Sequence, residues 1–141
     1  MILNLAAAHI ILTAALADAR EREAKPLGII VLDAGGHPLA FAREDGASLF
    51  RFDIARAKAM GALGMGADTR EIAVRAAGNP AFFTSVAIAT GGQLALSPGG
   101  VLLRDEAGAI IGAIGVSGDT PDQDEACAMA GIAALSHGAE A

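Results

Sequence analysis

PGGVLLRDEAGAIIGAIGVSGDTPDQDEACAMAGIAAL, residues Pro98–Leu135, is the stretch whose reading decides the fold. A glycine pair leads into an apolar run, Gly100 to Arg104. Asp105-Glu106-Ala107-Gly108 then reverses the chain, because Asp bonds the backbone ahead of it and Gly takes a positive φ. A second apolar run, Ala109 to Val116, ends in the loop Gly115-Val116-Ser117-Gly118. A helix starts at once. Thr120 caps it, Pro121 is its first residue, Gln123 closes a capping box, and Asp122, Asp124 and Glu125 favour its positive end.

Working outward, Gly28–Arg43 (GIIVLDAGGHPLAFAR) repeats that hairpin chemistry. Asp33-x-x-Gly36 matches Asp105-x-x-Gly108, and the run Ile29–Leu32 suits a sheet covered on both faces. Before it, Asn4 caps a helix with apolar residues at spacings of three and four, ending ahead of Pro26. After it, Phe50–Gly66 reads as a second helix. Asp68-Thr69-Arg70-Glu71 is a capping-box pattern starting a third, to about Ala77. Gly78-Asn79-Pro80 breaks that helix. Ala81–Ala89 stays open between a helical turn and an apolar loop, Gly91-Gly92 is a turn, and Gln93–Leu96 reads as a short strand. The order helix, two strands, helices, three strands, helix predicts one α+β domain over 1–141. Its simplest form is a five-stranded antiparallel sheet flanked by helices.

The composition agrees with a single core. Of 141 residues, 53% are hydrophobic and only 4% aromatic, with no Trp or Tyr, so the core is aliphatic. The apolar surplus points to burial between subunits, hence a homo-oligomer. A net charge of −6 without a basic patch argues against a nucleic-acid partner. No apolar run is long enough to span a membrane. The opening MILNLAAAHIILTAALADA lacks the positive start of a signal peptide and reads as mature structure. A single cysteine, Cys127, excludes an intrachain disulfide and fits the cytoplasm.

At VLDAGGHPLAFAREDGA (31–47), IARAKAMGALGMG (54–66), PGGV (98–101) and GAIGVSGDTPDQDEACA (112–128) the chain resembles the GlcG/HbpS-like family of small haem-associated proteins. The same fold occurs as the C-terminal domain of a cobalamin-pathway adenosyltransferase. The resemblance spans nearly the whole chain. It implies a profilin-like five-stranded sheet, homo-oligomers and, in some members, haem. Two departures stand out. Leu102 follows Val101 where members often carry Pro, and Asp119 stands at the third position of a loop often reading S-G-G-T. The export signal of the secreted members is missing.

Haem takes axial ligands such as His, Met or Cys. The histidines are His9 on the first helix, His37 after the hairpin glycine, and His137 near the C-terminus; His9 and His37 are the axial candidates. Asp119, Asp122, Asp124 and Glu125 lack the spacing of a calcium loop and read as helix-start charge, so no metal site is expected. Lys58 and Arg56 on the second helix could hold a carboxylate or a haem propionate. Two residues apart, they do not share a helix face, and Lys58, within the family's A-K-A element, is the first choice. The ligand-binding candidates are therefore Lys58 and Arg56 with Gly99, Gly100 and Gly118, in a cleft where Gly99-Gly100 faces Lys58. Ser117 lacks a G-x-S-x-G setting and reads, with Thr120, as turn and cap. The alternative to a binding protein is an enzyme acting on a small organic acid (a tautomerase, isomerase or hydrolase), with Lys58 as electrostatic clamp and Asp33 or Asp119 as proton carrier.

Overall fold

The structure, a computed structural model, describes residues 2–138. Its elements are α1 (Leu5–Glu21), β1 (Gly28–Asp33), β2 (Pro38–Arg43), α2 (Arg51–Met65), α3 (Thr69–Gly78), α4 (Pro80–Ala89), β3 (Gly100–Arg104), β4 (Ile110–Ser117) and α5 (Pro121–Gly138). The expected α+β class and both hairpins are present. Each hairpin turn uses its aspartate in the same way. Asp33 Oδ1 accepts from the N–H groups of Gly35 and His37, and Asp105 Oδ1 from those of Ala107 and Ala109, all at 2.9–3.0 Å. Gly36 and Gly108 follow at φ of 82° and 86°.

The sheet corrects the expectation of five strands. It has four, all antiparallel, in the order β2-β1-β4-β3. Gln93–Leu96 is not paired. The outer edge of β3, where a fifth strand would add, is already engaged by side chains from the start of α3. Thr69 Oγ1 accepts from Gly100 N (2.8 Å) and donates to Gly100 O (3.3 Å), and Asp68 Oδ1 accepts from Leu102 N (2.9 Å). Two polar side chains thus occupy the first half of this edge, where a partner strand would have to begin. Gln93–Leu96 instead crosses α2, where Leu94 packs against Gly61 and joins Ala67, Ile72, Ala76 and Phe83 in an apolar cluster. The same contact alters the expected capping box at Asp68: its side chain is turned to the sheet and does not cap its own helix.

Helices cover both faces. On one, α1 and α5 pack over Ile29, Val31, Ile114 and Val116; on the other, α2 packs over Ile30, Leu32, Leu102 and Ala113. The run Ile29–Leu32 is fully buried, as a strand covered on both sides must be. The approach of α2 is exceptionally close. Gly28, Gly115 and Gly100, one on each of three adjacent strands, lie beneath Arg51, Ala55 and Lys58, which follow one another at helical spacing. A Cβ on Gly28 would sit 2.8 Å from Arg51 Cβ, and one on Gly115 or Gly100 would overlap the carbonyl of Ala55 or Lys58. The glycines let helix backbone rest on strand backbone.

Candidate functional site

The expected cleft between Lys58 and the glycine strand is filled. Lys58 is 3% exposed, and its Nζ donates to Val116 O (2.9 Å) and to Asp124 Oδ2 (3.0 Å). Gly99, at φ 128°, accepts Val116 N through its carbonyl. Lys58 takes the place of the next backbone N–H on Val116 O and so closes the end of the β3–β4 ladder. A Cβ on Gly99 would come within 2.8 Å of Lys58 Nζ. Asp124, 2% exposed, accepts Asp119 N through its other oxygen (2.9 Å). The reciprocal cap contact expected of Gln123 is absent: its Oε1 accepts from Arg22, and the Thr120 N–H is taken by Asp119 Oδ1. Burial drives the Lys58 pKa down and the Asp124 pKa up, and their mutual attraction opposes both shifts. Nearby, Arg51 Nη1 donates to the buried Ser117 Oγ (2.8 Å), so Ser117 anchors α2.

The remaining candidates are scattered. Asp119 Oδ2 accepts Lys25 N and Oδ1 accepts Thr120 N, both at 2.7 Å, which holds its carboxyl below the usual range. Gly118 passes against Pro26, whose carbonyl would lie 2.5 Å from an added Cβ. Asp33 pairs with Gly112, four residues and about 13 Å along β4 from Val116. The His37 and Gly35 N–H groups lower its pKa, with the His37 donor dominant. His9 is exposed on α1, on the sheet face opposite α2. The His137 side chain lies outside the described residues. Among the described residues, no three metal-ligating side chains converge, and no helix is long and apolar enough to cross a membrane.

One concave apolar site lies where no motif marked it, between α2 and α4. Met60, Gly61, Met65, Val86 and Leu94 wall it, Thr90 and Gln93 form a polar rim, and it holds about 480 Å³ including its open mouth. Met60 also reaches the β1–β2 turn, since a Cβ on Gly36 would stand 2.7 Å from its Sδ. The thioether therefore links the pocket to the turn that carries His37, whose Nδ1 is 3.1 Å from Asp33 Oδ1. Arg56, one helical turn before Met60 on the same side of α2, is half-buried. Among the described residues its guanidinium makes no hydrogen bond or ion pair. The arrangement reverses the expected order of the two cations: Lys58 is enclosed, and Arg56 is available.

The family model described as haem degrading protein, HbpS-like, matches residues 3–133. The chain belongs to the HbpS-like family. Solved structures agree. PduOC, crystallised in complex with haem, superposes with a TM-score of 0.86 at 27% identity, covering 95% of each chain. Klebsiella pneumoniae ORFY gives 0.87 at 28%, covering 95% of this chain and 90% of its own. A double mutant of Streptomyces reticuli HbpS gives 0.82 at 32%, covering 96% and 88%. No curated protein matches the chain. Among the residues that carry the family resemblance, Gly100 and Gly115 are those on which the α2 backbone rests.

Proposed function

We propose that this HbpS-like chain binds haem, or a similar planar carboxylated ligand, in the pocket between α2 and α4. The observation that carries the reading is that pocket, an open apolar hollow with a polar rim, as small-molecule sites commonly are. One wall, Met60, is a thioether that touches the His37 turn. The donor set fits haem: Met60 and His37 are of ligating type, and Arg56 is a cation suited to a propionate. The haem complex of the related PduOC supports haem as the ligand. When bound, haem would supply its own redox and oxygen chemistry, while this chain's residues hold and orient it. Its single cysteine suits the cytoplasm. Exposed apolar side chains such as Phe82 and Ile88 suit a homo-oligomer.

Titration of the purified chain with haem, followed by its Soret absorption, tests the proposal. A shifted, saturable band is expected. His37→Ala or Met60→Leu should change its position, Arg56→Ala should weaken binding about tenfold, and His9→Ala should have no effect. No Soret change, or a band indifferent to the His37, Met60 and Arg56 variants, overturns the reading. An organic-acid enzyme built on Lys58 would first have to release that side chain from Val116 and Asp124.

A further inference from the structure

No Asp, Glu, Lys, Arg or His stands between Arg75 and Arg104, although 18% of the chain is charged. The centre of that span is α4, Pro80–Ala89, an apolar and hydroxyl-bearing helix in which Phe83 is the one buried residue. Phe82 is 52% exposed and Ile88 76%. A helix apolar on all sides belongs in an interior. Here Ala81, Phe82, Ser85, Ile88 and Ala89, at spacings of three and four, form a continuous exposed strip.

Charge decides what covers it. The chain carries a net −6, so two copies meeting through their charged faces repel, and the α4 strip lets them meet without that cost. A membrane surface is a poorer occupant, because an interfacial helix draws on Lys and Arg that this one lacks. Of the other exposed apolar groups, Leu49 and Phe50, with Phe52 stacked edge-on to Phe41, are interspersed with Glu44, Asp45, Arg51 and Asp53, and Ile2, Leu5 and Ile10 lie about the start of α1 beside the exposed His9. We propose that α4 is the surface through which two copies of this chain associate, each burying Phe82 and Ile88 of the other. The inference rests on the homo-oligomer part of the function above and names its surface. A two-fold axis sets the strip against itself, with Ser85 at its middle near its own counterpart.

Light scattering on the sized full-length chain is the test. The parent is expected as a dimer or a multiple of it. Phe82→Glu with Ile88→Glu should lower the assembly mass about twofold or more while the far-UV circular dichroism of the folded chain is kept; the melting temperature falls with the lost association. Leu49→Glu with Phe50→Glu should leave the mass unchanged. Ser85→Cys should give disulfide-linked dimers on mild oxidation, a readout that does not depend on tolerance of charge. Parent mass in the folded Phe82/Ile88 variant, or linkage through Leu49→Cys in place of Ser85→Cys, overturns this surface and leaves the oligomer standing. A monomeric parent overturns both. So does a monomer that pellets with phosphatidylcholine vesicles through Phe82 and Ile88.

Discussion

Lys58→Met isolates the buried ion pair. The replacement keeps most of the aliphatic stem and removes the ammonium from between Val116 O and Asp124 Oδ2. Asp124, 2% exposed, then keeps the N–H groups of Asp119 and Gly118 as its remaining donors. Removing one member of a buried pair costs about 3–5 kcal/mol, and an orphaned carbonyl about 1 kcal/mol more. A loss near 5 kcal/mol is a large part of the roughly 5–15 kcal/mol that holds such a domain together, and it should lower the melting temperature by about 15 °C. With no Trp or Tyr in the chain, far-UV circular dichroism in a denaturant series is the assay. The acid side supplies a second signature. Burial raises the Asp124 pKa, and without Lys58 only the Asp119 and Gly118 N–H groups oppose that rise, so the folded variant binds this proton more tightly than its unfolded chain does. Stability of the variant relative to the parent should therefore recover as pH falls through the folded Asp124 value towards the unfolded one, about 3.9. Asp124→Asn in the same background should restore part of the loss, because an amide oxygen still accepts Asp119 N and no charge remains. A deficit under about 1 kcal/mol at neutral pH, or one that grows with acid, would refute the buried pair.

Other perturbations follow from the same contacts. Gly115→Ala pushes a Cβ into the Ala55 carbonyl and should cost about 3 kcal/mol or prevent folding, whereas Gly64→Ala, in open space on α2, should stabilise by about 0.5–1 kcal/mol; equal melting temperatures would sink the close-approach argument. Cys127 is fully buried and its thiol is pushed up to about 12, so it should resist thiol reagents in the native protein and react at once in denaturant; fast native labelling would contradict its burial. Asp33, Asp105 and Asp119 are held below the ordinary carboxylate value, chiefly by the backbone N–H groups of His37, Ala109 and Lys25. Their contribution is present above the unfolded value and is lost as pH falls through the lower folded ones. Changing all three to Asn keeps the acceptor oxygens, so stability should fall less steeply below about pH 4, and an unchanged slope counts against the account.

The local chemistry of the fold was legible because it depends on residues next to each other. Asn4 accepts Ala7 N as a cap should, and Asp33 and Asp105 fold their turns identically. Thr120 accepts Gln123 N. What was not legible depends on contacts distant in sequence. The strand expected at Gln93–Leu96 fails because Asp68 and Thr69, far upstream, take the β3 edge. No propensity within Gln93–Leu96 reports that. Asp124 was readable in principle. It falls in register with Cys127, Ala128, Gly131 and Leu135, the buried stripe of α5, and a charge on a buried stripe demands a partner. Lys58, in register with Ala55, Ala59 and Ala62 on α2, is that partner, so the two stripes together implied the pair. The Met60 pocket carried no such mark, since it exists only once α4 lies beside α2.

The glycines also show why the most recognisable segment of this chain is a poor guide to its chemistry. A glycine at a close backbone crossing and a glycine lining a ligand cleft look alike in sequence, because both are selected by lack of a side chain. What separates them is whatever occupies the space a Cβ would have filled. At Gly100 and Gly115 it is the backbone of α2, and at Gly99 it is Lys58, which is itself tied to Val116 and Asp124. Opening a ligand path there would separate a helix from its sheet and expose a buried pair, at a cost of several kcal/mol before any ligand contact formed. On the opposite flank of α2 the balance differs. Gly64 meets nothing, Arg56 has no partner among the described residues, and α4 is anchored through Phe83 as its one buried residue. Chemistry that varies among members of one fold is best accommodated where packing leaves room, and in this chain the room lies between α2 and α4.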